Sequence, residues 1–157
     1  MATKGGPGFS LLETLVTLSV MAVLAALGLA AARPSPEAHA ARALRALFLQ
    51  ARADAVWSGA PVAVVELPGG AGFAARRLAG DDCASGEALA TVRLREFPGV
   101  RVAQGLWSGG LYWLPTGAGR ACSGGGVISG TVVLQGPLGS ASVVVSSLGR
   151  VRVEVGR

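Results

Sequence analysis

Gly8-Phe9-Ser10-Leu11-Leu12-Glu13 opens a run that stays apolar as far as Ala32. Residues 9–32 number 24, and Glu13 is the only ionisable side chain among them. As a helix rising 1.5 Å per residue, a run of that length spans about 36 Å, enough to cross a hydrocarbon core of about 30 Å. Lys4 is the only charged side chain ahead of the run, and Arg33 is the first charge after it. The short, Lys-bearing end is therefore expected on the cytoplasmic side. A secretory signal has a shorter apolar stretch, about 7–15 residues, with a small-residue cleavage site behind it. Ala30-Ala31-Ala32 offers such a site, but Glu13 would then lie inside the hydrophobic region. A carboxylate in a membrane span costs roughly 2.5–3.5 kcal/mol on insertion scales, so its position asks for a reason.

The arrangement resembles the type IV pilin (class III) signal, and the resemblance supplies that reason. It implies that a prepilin peptidase cuts between Gly8 and Phe9 on the cytoplasmic side and that the new N-terminal Phe9 is methylated. Glu13 then becomes the fifth mature residue and pairs with the N-terminal amine of a neighbouring subunit. Such pairing removes the cost of burying either charge alone. The implied partners are the peptidase, the inner membrane before assembly, and other pilins or pseudopilins gathered through the N-terminal helix.

Composition agrees with a small exported domain on a stalk. The chain has 157 residues, room for one domain after the anchor, and its 24 Gly with few aromatics imply many turns and short strands. From Arg33 onward there are 13 Arg, 8 acidic residues and no Lys. Surface Arg favours phosphate, carboxylate or planar partners. A GC-rich genome that encodes Arg wherever Lys would serve gives the same count.

Beyond the anchor, Pro34 removes a donor and disfavours helical geometry at Arg33, so a break is expected there. Ser35 reads as an N-cap, with Pro36 at the first helical position and Glu37 in the first turn. Leu44, Leu47, Phe48, Ala51 and Ala55 recur at helical spacing as one apolar stripe. Arg42, Arg45 and Arg52 take another flank, and Gly59 with Pro61 ends the helix. Arg42 and Arg45, on the helix flank and near the expected fibre core, are expected to matter much less to any ligand than the arginines at the end of the chain. His39 is read as a solvated surface residue.

From Pro61 the pattern turns to short β-rich segments. Val62–Leu67 and Phe73–Leu78 flank Pro68-Gly69-Gly70-Ala71-Gly72 as a hairpin, and Thr91–Arg95 alternates with Val92 and Leu94 inward. Further candidates are 100–102, 106–114, 127–134, 142–146 and 150–155, with turns at Gly136-Pro137-Leu138-Gly139 and Leu148-Gly149. The predicted fold is α+β: a long N-terminal helix, membrane anchor plus amphipathic half, packed on a C-terminal antiparallel β-sandwich. Its parts are a leader (1–8), a transmembrane and assembly helix (9–33), an amphipathic helix (34–59) and a periplasmic β-rich domain (60–157). Trp107, Tyr112 and Trp113 are read as packing residues before a surface platform.

Export into an oxidising compartment and an even count pair Cys83 with Cys122. Two Cys without supporting His do not make a zinc site, and Asp81-Asp82 reads as a solvated loop before a calcium site. No Ser/His/Asp set, metal-ligand cluster, phosphate loop or cofactor motif is present in the sequence, which argues against an enzyme.

Phe48-Leu49-Gln50-Ala51-Arg52-Ala53-Asp54-Ala55-Val56, leading into Gly59-Ala60-Pro61-Val62, is similar to the helix-to-strand passage of the GspH/FimT-type minor pilins and pseudopilins. Tyr112-Trp113-Leu114-Pro115-Thr116-Gly117 and the segment 143–153 fit that family's closing strands. Within it, Gly149-Arg150-Val151-Arg152 matches a Gly-Arg-X-Arg motif associated with DNA binding in the FimT-like branch. Gly149 permits a tight turn, and residues two apart on a strand share a face. Arg150 and Arg152 can thus reach adjacent phosphates of double-stranded DNA, with Arg157 adding charge. An edge strand protected by alternating Arg has the same pattern. The resemblance implies a minor type IV pilin that binds DNA non-specifically during natural transformation, located in the inner membrane with its domain in the periplasm and then in a pilus. A type II secretion pseudopilin and a purely structural minor pilin are the alternatives.

Overall fold

The computed structural model describes residues 10–31, 35–80, 82–105, 109–124, 126, 128–146 and 148–156. Gly8, Phe9, Arg33, Asp81, Trp107 and Arg157, all singled out from the sequence, lie outside them. The chain divides into two compact units, residues 1–34 and residues 35–157.

The first unit contains helix α1 (Leu11–Ala31), 21 residues long. At 1.5 Å per residue it measures about 32 Å, and Leu11–Gly28 is apolar enough to cross a membrane. The Ser10 hydroxyl accepts the Glu13 N–H at 3.2 Å and caps the helix start. Within the span the hydroxyls of Thr14, Thr17 and Ser19 donate to carbonyls one turn back, at 2.9, 2.7 and 2.8 Å. Each of these hydroxyls is thereby satisfied inside its own helix, as a hydrocarbon environment demands.

The second unit begins with helix α2 (Pro36–Ser58). Its ends follow the sequence signals: the Ser35 hydroxyl accepts the Ala38 N–H at 3.4 Å, Pro36 opens the first turn, and Gly59 closes the helix in the left-handed region at φ 67°. The stripe of Leu44, Leu47, Phe48, Ala51 and Ala55 is fully buried. It packs on two antiparallel sheets. One comprises β1 (Val62–Glu66), β2 (Gly72–Arg77), β3 (Glu87–Arg93), β5 (Leu111–Trp113) and β6 (Gly119–Ala121) in the order β3-β2-β1-β5-β6. The other comprises β4 (Arg101–Gln104), β7 (Gly130–Gly136), β8 (Gly139–Val145) and β9 (Val151–Gly156) in the order β4-β7-β8-β9.

One core joins α2 to both sheets, with Val62, Val64, Phe73 and Trp113 from the first and Val132, Leu134, Val143 and Val145 from the second. The opposite face of the five-stranded sheet is covered as well: Ala63, Val65 and Ala74 pack with Cys83 in a separate cluster. Burial on both faces explains why β1 reads as a continuous apolar run and not as an alternation. Strand β3 ends at Arg93 and gives way to a 3-10 turn over Leu94–Glu96, earlier than the alternation of Thr91–Arg95 suggests. Strand β6, three residues long and rich in small side chains, has no sequence signature.

Candidate nucleic-acid interface

Strand β9 lies at the open edge of the four-stranded sheet, paired only with β8. The chain enters it through Gly149, whose φ of +76° any other residue adopts only with strain. A Cβ at that position would also stand 3.0 Å from the Trp113 ring. The glycine of the Gly-Arg-X-Arg motif thus serves the fold: it lets the turn lie flat on a fully buried indole. Arg150 and Arg152 follow, both exposed. Arg152 is paired through Nε with the Glu154 carboxylate at 2.9 Å, at the surface.

Two arginines of α2 hold this segment from behind. Arg52 donates through Nη1 to the Gly149 carbonyl at 3.4 Å and lies 5.6 Å above the centroid of the Trp113 ring. Arg45 donates through Nε to the Val151 carbonyl at 3.3 Å. The order of these contacts makes β9 run antiparallel to the helix. Arg42, one turn before Arg45, lines a shallow groove of about 370 Å³ together with Arg45, Val151, Arg152 and Val153. Arg42 and Arg45, expected near the fibre core, thus lie beside the tail. Their spacing puts them on one helix face with Arg52, which the sequence displayed; that β9 would lie against this face depends on contacts about a hundred residues apart along the chain.

The other sequence candidates fall elsewhere. Glu13 is exposed in the first turn of α1. Cys83 and Cys122 form a disulfide with Cα atoms 5.9 Å apart. Asp82 uses its carboxylate to accept the Ala84 N–H at 2.9 Å, a turn-capping role. Among the described residues no group of three or more His, Cys, Asp or Glu could hold a metal ion. Trp113 is core and Tyr112 packs against the second cluster; among the described residues the exposed indole is Trp57, at the end of α2, which the sequence had not singled out.

No protein-family model matches the sequence, and no curated protein does. Solved structures do. The minor pseudopilin EpsH of the Vibrio cholerae type 2 secretion system superposes with a TM-score of 0.56 at 16% identity, covering 76% of this chain and 97% of that one. The type IV minor pilin FimU of Pseudomonas aeruginosa superposes with a TM-score of 0.56 at 18% identity, covering 76% of this chain and 91% of that one. A second crystal form of FimU gives 0.53 at 19% identity. The chain thus has the fold shared by minor pilins and minor pseudopilins, an N-terminal apolar helix and a second helix packed on antiparallel sheets. That is the fold of the GspH/FimT-like proteins its sequence resembles.

Proposed function

We propose that the chain is a minor type IV pilin that incorporates into a pilus and binds double-stranded DNA non-specifically during natural transformation. In this reading a prepilin peptidase removes residues 1–8, Phe9 becomes the methylated N-terminus, and Glu13 pairs with the N-terminal amine of the next subunit. The apolar helix holds the protein in the inner membrane until assembly, with the β-rich domain in the periplasm.

The observation that carries the DNA reading is the exposed Arg150–Arg152 pair on an open sheet edge, braced from behind by Arg45 and Arg52. Bracing limits the conformational entropy lost when the tail meets a ligand. Phosphate contacts of this kind carry no base readout, so binding is tolerant of sequence and sensitive to salt. A handful of them gives a non-specific Kd of roughly 10⁻⁴–10⁻⁶ M at physiological salt. Many subunits along one DNA multiply the effect.

The test is fluorescence anisotropy of a labelled duplex with the full chain in detergent micelles at two salt concentrations. Arg150→Gln/Arg152→Gln is expected to weaken binding equally for unrelated duplexes and to flatten the salt dependence without lowering Tm. If wild type and variant bind alike, the arginines guard a sheet edge. A role in a secretion pseudopilus, suggested by the equal likeness to EpsH, then replaces DNA uptake.

A further inference from the structure

Strand β9 exposes more than its side chains. The Ser146 N–H donates to the Arg150 carbonyl at 2.9 Å, and Val144 and Ser142 lie opposite Arg152 and Glu154. In an antiparallel ladder this sets the phase. Arg152 and Glu154 exchange backbone bonds with β8, whereas Val151 and Val153 turn their N–H and C=O groups to the open edge. The bond from Arg45 to the Val151 carbonyl agrees with that phase. The edge is flanked by arginines from both sides: Arg42 and Arg45 rise from α2, and Arg152 lies on the other face of the strand. Among the described residues the ion pairs within 4 Å are Arg77–Glu87 and Arg152–Glu154, so no described carboxylate pairs with Arg42 or Arg45.

We infer that the groove between α2 and the edge of β9 is a phosphodiester site, in which Arg42, Arg45 and Arg152 converge on the phosphate oxygens beside the outward N–H of Val153. Three guanidiniums and a backbone N–H supply only donors. The outward C=O of Val151 is engaged by Arg45 and so does not compete with a phosphate, which leaves the outward C=O of Val153 as the acceptor beside the site. The backbone of a nucleic acid follows the groove along the strand edge and meets Arg150 at its far end. Four arginines, two from α2 and two from β9 and the turn before it, then define one track, where the motif alone defines two. This assignment rests on the DNA-binding reading above and extends it to residues that the motif does not contain.

Arg42→Gln/Arg45→Gln tests it, in the full chain in detergent micelles, with anisotropy of a labelled duplex as the readout. Each lost phosphate contact removes about 0.9 from the slope of log K against log salt, so the double variant should flatten it by about 1.8. The advantage of wild type over variant then shrinks about tenfold between about 50 mM and about 200 mM salt. Arg42→Lys/Arg45→Lys should restore most of the slope, since charge and not the planar fork sets counterion release. Arg45→Gln also removes a brace on β9; Arg42→Gln alone, with half the effect on the slope and an unchanged Tm, isolates the contact from the fold. Wild-type slopes in both Gln variants, alongside loss of binding in Arg150→Gln/Arg152→Gln, overturn the groove and leave the DNA reading standing. A wild-type chain that binds no duplex even at low salt overturns both.

Discussion

The Glu37 carboxylate fills the space that a side chain at Gly136 would occupy. Glu37 is the buried charged residue among those described, and its Oε2 has no hydrogen-bond partner there. It sits in the first turn of α2, where the helix dipole favours an anion, against the turn that joins β7 to β8. A Cβ added to Gly136 collides with the carboxylate and stands 3.0 Å from the Glu37 Cβ.

Gly136→Ala should therefore lower stability by about 1–3 kcal/mol, the usual range for overpacking. The cost should largely vanish in a Glu37→Ala background, which removes the obstruction. Thermal unfolding of the two single variants and the double variant gives the coupling directly. Additive effects would mean that the two residues do not share the site.

Glu37→Gln keeps the shape and removes the charge. The Glu37 Oε2 is buried without a hydrogen-bond partner, a position that disfavours a charged group more than a neutral amide, against the roughly 0.3–2 kcal/mol the helix dipole returns to an anion. The variant is expected to melt at or above the wild-type temperature. A clear drop in Tm would show that the carboxylate has a partner that the amide cannot replace.

Within the Gly-Arg-X-Arg motif the structure separates two kinds of residue. Gly149→Ala forces a left-handed backbone and a tight contact with Trp113, and should lose about 1–3 kcal/mol of stability together with binding. Arg150→Gln should lose binding alone. Unfolding curves run beside the anisotropy titrations distinguish them, and equal Tm losses in both would make the motif purely structural.

Glu154 competes with phosphate for Arg152. Because both side chains are exposed, their pairing is worth at most about 1 kcal/mol, an attraction that a phosphate can displace. Glu154→Gln should therefore tighten duplex binding by about two- to fivefold at low salt. Unchanged affinity would mean that Arg152 does not reach the DNA.

At the other end of the chain, co-expression with a prepilin peptidase should yield a protein whose N-terminal mass begins at Phe9. Glu13→Ala should leave the domain folded and reduce its incorporation into fibres several-fold. A cut near Ala32, or wild-type incorporation of the variant, would count against the pilin reading of that signal.

What could be read in advance was local. The caps of α2, its apolar stripe and the β1–β2 hairpin are written in short-range chemistry, and each stands where the residues put it. The disulfide followed from counting cysteines. What escaped was the long-range geometry: β6 is too short to alternate, and Trp57 carries no pattern that marks it as exposed. Arg42 and Arg45 looked like a generic polar flank until β9 was laid against them. The sequence named the motif but not the second wall of the groove.

The Cys83–Cys122 bridge spans 39 residues of chain and belongs to the cluster on the face of the five-stranded sheet opposite α2. Opening it by Cys83→Ser/Cys122→Ser should cost on the order of 4 kcal/mol in the chain-entropy model. The described residues contain no other cysteine, so the bridge is also a label that the protein carries for itself. A chain detained in a reducing cytosol holds two thiols that a maleimide can tag after denaturation, whereas a chain whose domain has reached an oxidising space holds none. Counting tagged against untagged chains on a gel measures export without any fusion, and follows it even in mutants that never build a fibre.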